Sequence, residues 1–510
     1  LGGVQKNKVK MQYILGIDNG GSKTKCALFN LQGSEIAVAS RQAALIFPQP
    51  GMTERDPELV WQTNVELIRE VIQNSGVNPK NIIGIGLTGY GNGMCLVDAD
   101  GQPTWNCIVS TDTRAGVYAE QFAANGIERE AFQYSHQGFW AAQPAVLLPW
   151  FKEHAPEVLE RSAWVLGIKD FVRLRLTGAA ACEFTEASSW GLMNIHTLRF
   201  EPRLFELLGL EDCLRLMPPC LSPVDISGYI NARAASLTGL VEGTPVAGGC
   251  FDVDAGALAS GVLDGETLCL IAGTWSINEY LAPELRRGYK ETTNSVSQSF
   301  LPGHFLVEES TPTSASNFEW FLENFLAEEN SGKTRQQLYG ACDRSVELLP
   351  PEQSSAVFVP YLFDSATVSG GKGAFFNLSS YNTQAHLIRA VYEGVVFSTV
   401  FHVRRLVKDG HPFTKARLSG GVANSRVWSQ MMCDALDLPL EIPEGSELGA
   451  KGAAICAGIA CGTFTDYQDA VSKMVGIRER LSPRKEHAKV YAQKFLVYEK
   501  ALAALDCFHN

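Results

Sequence analysis

Apolar residues near the start of the chain come in short runs, not in helical stripes. Residues 13–17, 26–29 and 35–39 read as three strands. The polar turns Asp18, Asn19, Gly20, Gly21, Ser22 and Asn30, Leu31, Gln32, Gly33 separate them, which predicts a β-meander. The spacing then changes. Leu59, Val60, Val65, Leu67 and Ile68 recur at roughly helical intervals and predict a helix over residues 57–74. The nearly continuous apolar stretch at 81–87 predicts a buried strand.

The opening pattern returns after residue 260. Residues 267–271 and 275–280 read as strands about the small turn Ala272, Gly273, Thr274, so a loop-linked strand pair occurs once in each half of the chain. Further on, Leu387, Val391, Val395 and Phe401 predict a long helix over residues 383–408, with Gly410 as its stop. Residues 451–459 are rich in Gly and Ala and predict a helix able to pack close to another backbone.

At 510 residues the chain exceeds what one hydrophobic core usually serves, so two domains are expected, 11–258 and 259–505. No Pro/Ser-rich linker marks the boundary, and residues 1–10 read as an extension before Met11. A net charge of −12 with no Lys/Arg run excludes a nucleic-acid partner. Any phosphate must therefore be held locally, by backbone amides and a metal ion. The 13 cysteines form no C-x-x-C pair. Cys26, Cys95, Cys269 and Cys456 sit in apolar segments and read as small buried hydrophobes of a reducing compartment. Neither a secretory apolar segment nor a run of transmembrane length occurs, so a cytoplasmic protein without a membrane partner is expected.

Two motifs mislead. Gly84, Gly86 and Gly89 fit a dinucleotide fingerprint, but the chain runs on into another strand pattern at 94–97 where that motif needs a helix. Gly332, Lys333 and Thr334 end like a P-loop, but Ala327 stands where its first Gly belongs.

Three segments carry chemistry. In the first, Asp18 to Lys25, a hairpin of small residues exposes N–H groups to phosphate oxygens, and the Asp at the strand end can hold a magnesium ion. On local pattern it is equally an ordinary hairpin. In the second, Gly248 to Ala257, Asp252 and Asp254 sit among Gly and Ala, open to a ligand, though a plain helix cap is the stronger local reading. In the third, Leu418 to Asn424, a strand runs into Gly420, Gly421 and then a helix from about Ser425. A flat base or ribose can approach such a turn, and a plain connecting loop looks the same.

The order of these segments resembles the FGGY carbohydrate kinases: Asp-x-Gly-Gly-Ser between strands, a Gly-Gly…Phe-Asp before midchain, Gly-Thr after it, and strand-Gly-Gly-x-x-Asn near the end. Residues 373–393 also resemble a family signature, with Asn377 where a Gly is usual. Residues 144–154 resemble the other signature, with Leu147 where many members have Lys. The resemblance implies an α/β fold of two actin-like (ribonuclease H-like) domains about a central cleft, shared with actin, hexokinase and the Hsp70 chaperones.

It further implies ATP and Mg²⁺ as cofactors. Asp18 takes the Mg-ATP role, with Gly20, Gly21 and Ser22 lining the phosphates and Lys25 where relatives such as glycerol kinase carry Arg. Asp252 is the general base, with Asp254 the less favoured choice. Gly273 and Thr274 match a second phosphate turn, and Gly420, Gly421 and Asn424 the nucleoside side. On the substrate side Gly91 and Asn92 replace the Arg-Glu pair of glycerol kinases and the Met-His pair of D-xylulose kinases, and Trp140 matches an aromatic that packs on the substrate. Residues 50–56, 251–253 and 312–321 look most like the L-xylulose kinase branch. The expected reaction is phosphorylation of a terminal hydroxyl of a ketopentose such as L-xylulose. The alternatives are glycerol, erythritol, D-xylulose or another polyol as acceptor, and, of another class, a non-catalytic sugar sensor. The expected partners are a small sugar or polyol and ATP, with a homodimer as the candidate assembly.

Overall fold

The computed structural model describes residues 11–285, 288, 295–326, 332–363, 365, 371–407 and 413–509. Residues 1–10, Ala327, Lys408 and Gly410, named above, lie outside that set.

The first sheet is built from β1 (Tyr13–Asn19), β2 (Lys23–Asn30), β3 (Glu35–Gln42), β4 (Ile82–Gly89), β5 (Ile226–Tyr229), β6 (Pro245–Ala247) and β7 (Cys250–Phe251). Its order is β5-β6-β4-β1-β2-β3, with β7 also pairing with β4. The meander is as expected: β1 runs antiparallel to β2, and β2 to β3. On its other side β1 pairs parallel with β4. The second sheet is built from β8 (Thr267–Ala272), β9 (Ser276–Ala282), β10 (Ser295–Gln298), β11 (Phe305–Thr311), β12 (Lys415–Ser419), β13 (Leu440–Pro443) and β14 (Ile477–Leu481). Its order is β10-β11-β9-β8-β12-β13-β14. The centre of the first sheet recurs here, because β8 is antiparallel to β9, β9 to β11, and β8 is parallel to β12. The turns β1–β2 and β8–β9 are thus equivalent positions in two similar lobes.

Local chemistry explains the helices that flank the sheets. Asp56 caps the helix Pro57–Ser75 by accepting the Glu58 and Leu59 N–H groups, and Gly76 ends it in the left-handed region. The helix Gln384–Leu406 begins after Thr383 as the spacing predicts. Thr334, the last residue of the false P-loop, caps the helix Arg335–Glu347. Asn377, standing where a Gly was expected, has φ 57° and donates to the Ser355 carbonyl at 2.9 Å. The position demands a left-handed residue, which Asn supplies nearly as well as Gly.

Between the sheets lie two small-residue helices, Asp252–Ala259 and Leu448–Ala460, packed on each other. The second comes late in the chain yet packs on β1 and β4 of the first sheet. Glycines on those strands permit the approach: a Cβ on Gly86 would sit 1.8 Å from the Ala453 carbonyl oxygen. Ala255, Ala257, Leu258, Ala450, Ala454 and Ala457 form the inner core with Ile14, Ala27 and Cys269. Gly84 and Gly86 therefore serve packing; β4 ends at Gly89 without starting a helix.

One expectation on the cysteines needs correction. Cys95 is joined to Cys107 by a disulfide, with Cα atoms 4.4 Å apart. The strands Cys95–Val97 and Cys107–Ile108 fold next to each other, a tertiary proximity that the 12-residue spacing does not announce. Cys26, Cys269 and Cys456 are buried free thiols, as expected. Among the described residues no helix is long and apolar enough to cross a membrane.

Candidate functional site

A cleft of about 1100 Å³ opens between the two equivalent hairpin turns. Asp18, Gly20, Ser22 and Lys25 line it from the first lobe, and Gly273, Thr274, Gly420, Gly421 and Asn424 from the second. These nine are the expected nucleotide residues other than Gly21, which lies in the same turn with open space at its Cα. Gly420 has φ 87°, and a Cβ there would come within 2.5 Å of the Ala272 carbonyl oxygen, so the β12 turn nests directly on the β8 turn. Ser425 then caps the helix Arg426–Leu436.

Asp18, next to last in β1, lies against the start of the helix Leu448–Ala460, where a Cβ on Gly449 would lie 2.7 Å from Asp18 Oδ2. The partial positive charge at that helix end favours a carboxylate. Burial nevertheless raises its pKa to about 6, with Lys25 opposing the rise and Glu447 adding to it. Lys25 is engaged from the second lobe by Glu447 at 2.8 Å. Burial disfavours its ammonium, but Asp18, Glu447 and Glu35 outweigh that and raise its pKa. Asp18 Oδ1 is buried and without a hydrogen-bond partner. Among the described residues no three or more His, Cys, Asp or Glu side chains form a metal cage. One free carboxylate oxygen beside phosphate-sized space suits magnesium, which takes one or two carboxylates and completes its shell from phosphates and water.

Asp252 is the first residue of the helix Asp252–Ala259, delivered by β7, which pairs with Thr88 and Gly89 at the end of β4. Burial, reinforced by the negative charges of Asp18, Glu308 and Glu186, raises its pKa well above the usual carboxylate range. Asp18 and Asp252 therefore share one electrostatic field. Asp254 is fully buried and accepts the Phe300 N–H at 2.9 Å, so its carboxylate faces the second lobe and not the open site.

The other substrate-side residues fall in different settings. Gly91 lies against the ring of Phe251, where a Cβ would come within 2.1 Å of the ring. Asn92 is buried at φ 61° with an unpartnered Oδ1. Trp140 is 41% exposed, its backbone N–H donates to Gln143 Oε1 at 3.1 Å, and it lies outside the lining of the cleft. Leu147 is buried in the helix Pro144–His154 and serves packing.

Sequence reasoning missed several groups. Arg55 lies buried beneath the first turn, donating to the Gly20 carbonyl at 3.4 Å and to Thr24 Oγ1 at 3.1 Å. Glu319, Trp320, Phe363 and Arg478 also line the cleft. Glu308 and Glu186 act on Asp252 across the fold, and no spacing in the chain signals them.

Comparison with known proteins shows the family. Residues 13–259 match the N-terminal domain, and residues 268–461 the C-terminal domain, of the FGGY family of carbohydrate kinases. A probable L-xylulose kinase of Pasteurella multocida is 35% identical, covering 97% of this chain and 99% of that protein. An L-xylulose/3-keto-L-gulonate kinase of Escherichia coli is 34% identical over 98% of each. Among solved structures, a xylulose kinase from Rhodospirillum rubrum superposes with a TM-score of 0.85 at 26% identity, covering 98% of this chain and all of that one. A gluconate kinase from Lactobacillus acidophilus shares the fold at a TM-score of 0.87 and 20% identity, covering 97% of this chain and 98% of that one. With the two turns, the cleft and the ordered motifs in one arrangement, the chain belongs to the FGGY family of carbohydrate kinases.

Proposed function

We propose that this ATP-dependent sugar kinase phosphorylates the terminal hydroxyl of a ketopentose, with L-xylulose the leading candidate. The observation that carries the reading is the cleft itself, where Asp18 and the Gly20–Ser22 turn of one lobe face Gly273, Thr274, Gly420 and Gly421 of the other. The relatives named as L-xylulose kinases support the substrate class.

In this reading the turns at Gly20–Ser22 and Gly273–Thr274 cradle the ATP phosphates through backbone N–H groups, and Gly420, Gly421 and Asn424 receive the nucleoside. Asp18 holds Mg²⁺, which when bound neutralises charge on the phosphates. Asp252 accepts the proton of the sugar hydroxyl as its oxygen bonds to the γ-phosphorus. The bond to the bridging oxygen breaks, and ADP leaves. A carboxyl held above its ordinary pKa is a better proton acceptor than an exposed one, and the remaining work is positioning and electrostatics. Closure of the lobes keeps water from competing for the phosphoryl group. Dependence on ATP favours the cytoplasm as the place of action.

The test is a coupled assay of ADP release with purified enzyme against ketoses, aldoses and polyols. A ketopentose is expected to give the highest kcat/KM. A higher value for glycerol or an aldose overturns the substrate assignment.

A further inference from the structure

Asp252 is delivered by a short segment whose two ends hang on one buried network. At the near end the Phe251 N–H donates to Thr185 Oγ1 at 2.9 Å. That hydroxyl donates onward to Glu183 Oε2 at 2.6 Å, while Glu183 Oε1 accepts the Thr185 N–H at 2.7 Å. At the far end Arg173 donates to the Gly248 carbonyl and, at 2.6 Å, to that of Ala181. Lys169 joins the two ends. Its Nζ lies 3.0 Å from Asp170 Oδ1, 2.7 Å from Glu186 Oε2 and 3.8 Å from Glu183 Oε2, and Arg173 reaches the same Asp170 oxygen at 3.0 Å. Lys169, Arg173, Glu183, Thr185 and Glu186 are entirely buried.

Five buried ionisable side chains are a poor source of stability, since apolar residues of the same volume generally serve as well. What this network supplies is direction. With Lys169 and the Thr185 N–H fixing Glu183, the Thr185 hydroxyl has one orientation. Its lone pair then fixes the Cys250–Phe251 peptide, one residue ahead of Asp252.

We propose that Thr185 is a positioning residue for phosphoryl transfer: held by Glu183, its hydroxyl anchors the Phe251 N–H and so sets the aim of the Asp252 carboxylate. The inference rests on Asp252 being the base. An error of about 1 Å in a reacting group costs on the order of 100-fold, so a small shift of this segment is enough to register in turnover.

The experiment compares Thr185→Val, which keeps the shape but removes the hydroxyl, with Thr185→Ser, which keeps the hydroxyl. Both are assayed with Mg-ATP and the best sugar of the panel, beside Asp252→Asn and with melting temperatures. Thr185→Val is expected to lose kcat by roughly 10–100-fold with the KM for ATP within about threefold of wild type, and Thr185→Ser to recover most of the loss. If Thr185→Val is too unstable to purify, Thr185→Ala makes the same comparison. A merely structural threonine lowers the melting temperature and leaves turnover per folded enzyme unchanged; that result, or a Thr185→Ser as slow as Thr185→Val, overturns the inference. If Asp252→Asn is nearly inactive and Thr185→Val turns over at the wild-type rate, the positioning inference alone fails. If Asp252→Asn turns over normally, the base assignment fails and the inference with it.

Discussion

Gly16 on β1 and Ala450 on the helix Leu448–Ala460 meet without a side chain between them: a Cβ on Gly16 would lie 1.9 Å from the Ala450 carbonyl oxygen. Neither backbone can yield, because Gly86 and Gly452 are pressed as closely, onto Ala453 and Ala255. Gly16→Ala is therefore expected to destabilise the protein by at least about 1–3 kcal/mol, the usual range for overpacking. Gly21→Ala, where nothing lies within 4 Å of the new methyl, should stay within about 0.5 kcal/mol of wild type. Urea unfolding of the two variants decides it.

Asp252→Asn should lose kcat by roughly 10²–10⁴-fold with ATP binding little changed, as for removal of a positioned base. Asp254→Asn should be milder, because its oxygen accepts one internal N–H and an amide oxygen can do the same. Steady-state kinetics with melting curves separate the two. Comparable losses at both positions contradict the assignment.

Asp18 gives a pH signature without any assay of activity. Its folded pKa, about 6, exceeds its ordinary value of 3.8, so the folded state binds this proton more tightly than the unfolded chain. Stability from Asp18 is then fully present below 3.8 and is lost as pH rises through about 6. In the absence of nucleotide Asp18→Asn should melt higher than wild type at pH 7, the gap closing as pH falls through that window. Mg-ATP should abolish the advantage at pH 7, since it stabilises only the wild-type carboxylate strongly. Scanning calorimetry across pH measures both effects, and a pH-independent gap counts against the assignment.

Glycerol should be a poor acceptor, with kcat/KM at least tenfold below that of the best ketopentose, since losing charged hydrogen bonds costs on the order of 1.5–3 kcal/mol each. Installing the glycerol-kinase pair by Gly91→Arg with Asn92→Glu should not reverse the preference, because a side chain at 91 runs into the Phe251 ring. Reversal by that double variant alone contradicts the packing argument.

What could be read from the chain was local. The β1–β2 turn, the Gly-Gly turn after β12 and the small-residue helix each rest on a few adjacent residues, and each lies where the pattern puts it. The small-residue helix was legible as something that packs closely, but not its partner, because the partner strands are distant in sequence. The same limit hides Thr185 and Glu183, whose meaning comes only from Phe251, 66 positions from Thr185. Gly91 looked like a missing clamp; its tight fit to Phe251 is a tertiary fact. Cys95 and Cys107 are likewise joined by strand placement and not by any motif.

The late helix that covers the first sheet has a consequence for synthesis on the ribosome. Glu35 on β3 and Ser446, which it binds just ahead of that helix, stand 411 positions apart. At translation rates of about 5–20 residues per second, the interval is roughly 20–80 s. Throughout it the apolar face carrying Ile14, Ala27 and Phe29 has no helix Leu448–Ala460 to meet. Even after its last strand ends at Phe251, the nascent first lobe must wait about 10–40 s with one side of its sheet lacking that helix, the kind of state chaperones capture. Slower growth temperatures and added chaperone should raise soluble yield through this interval alone, with no change in the finished enzyme.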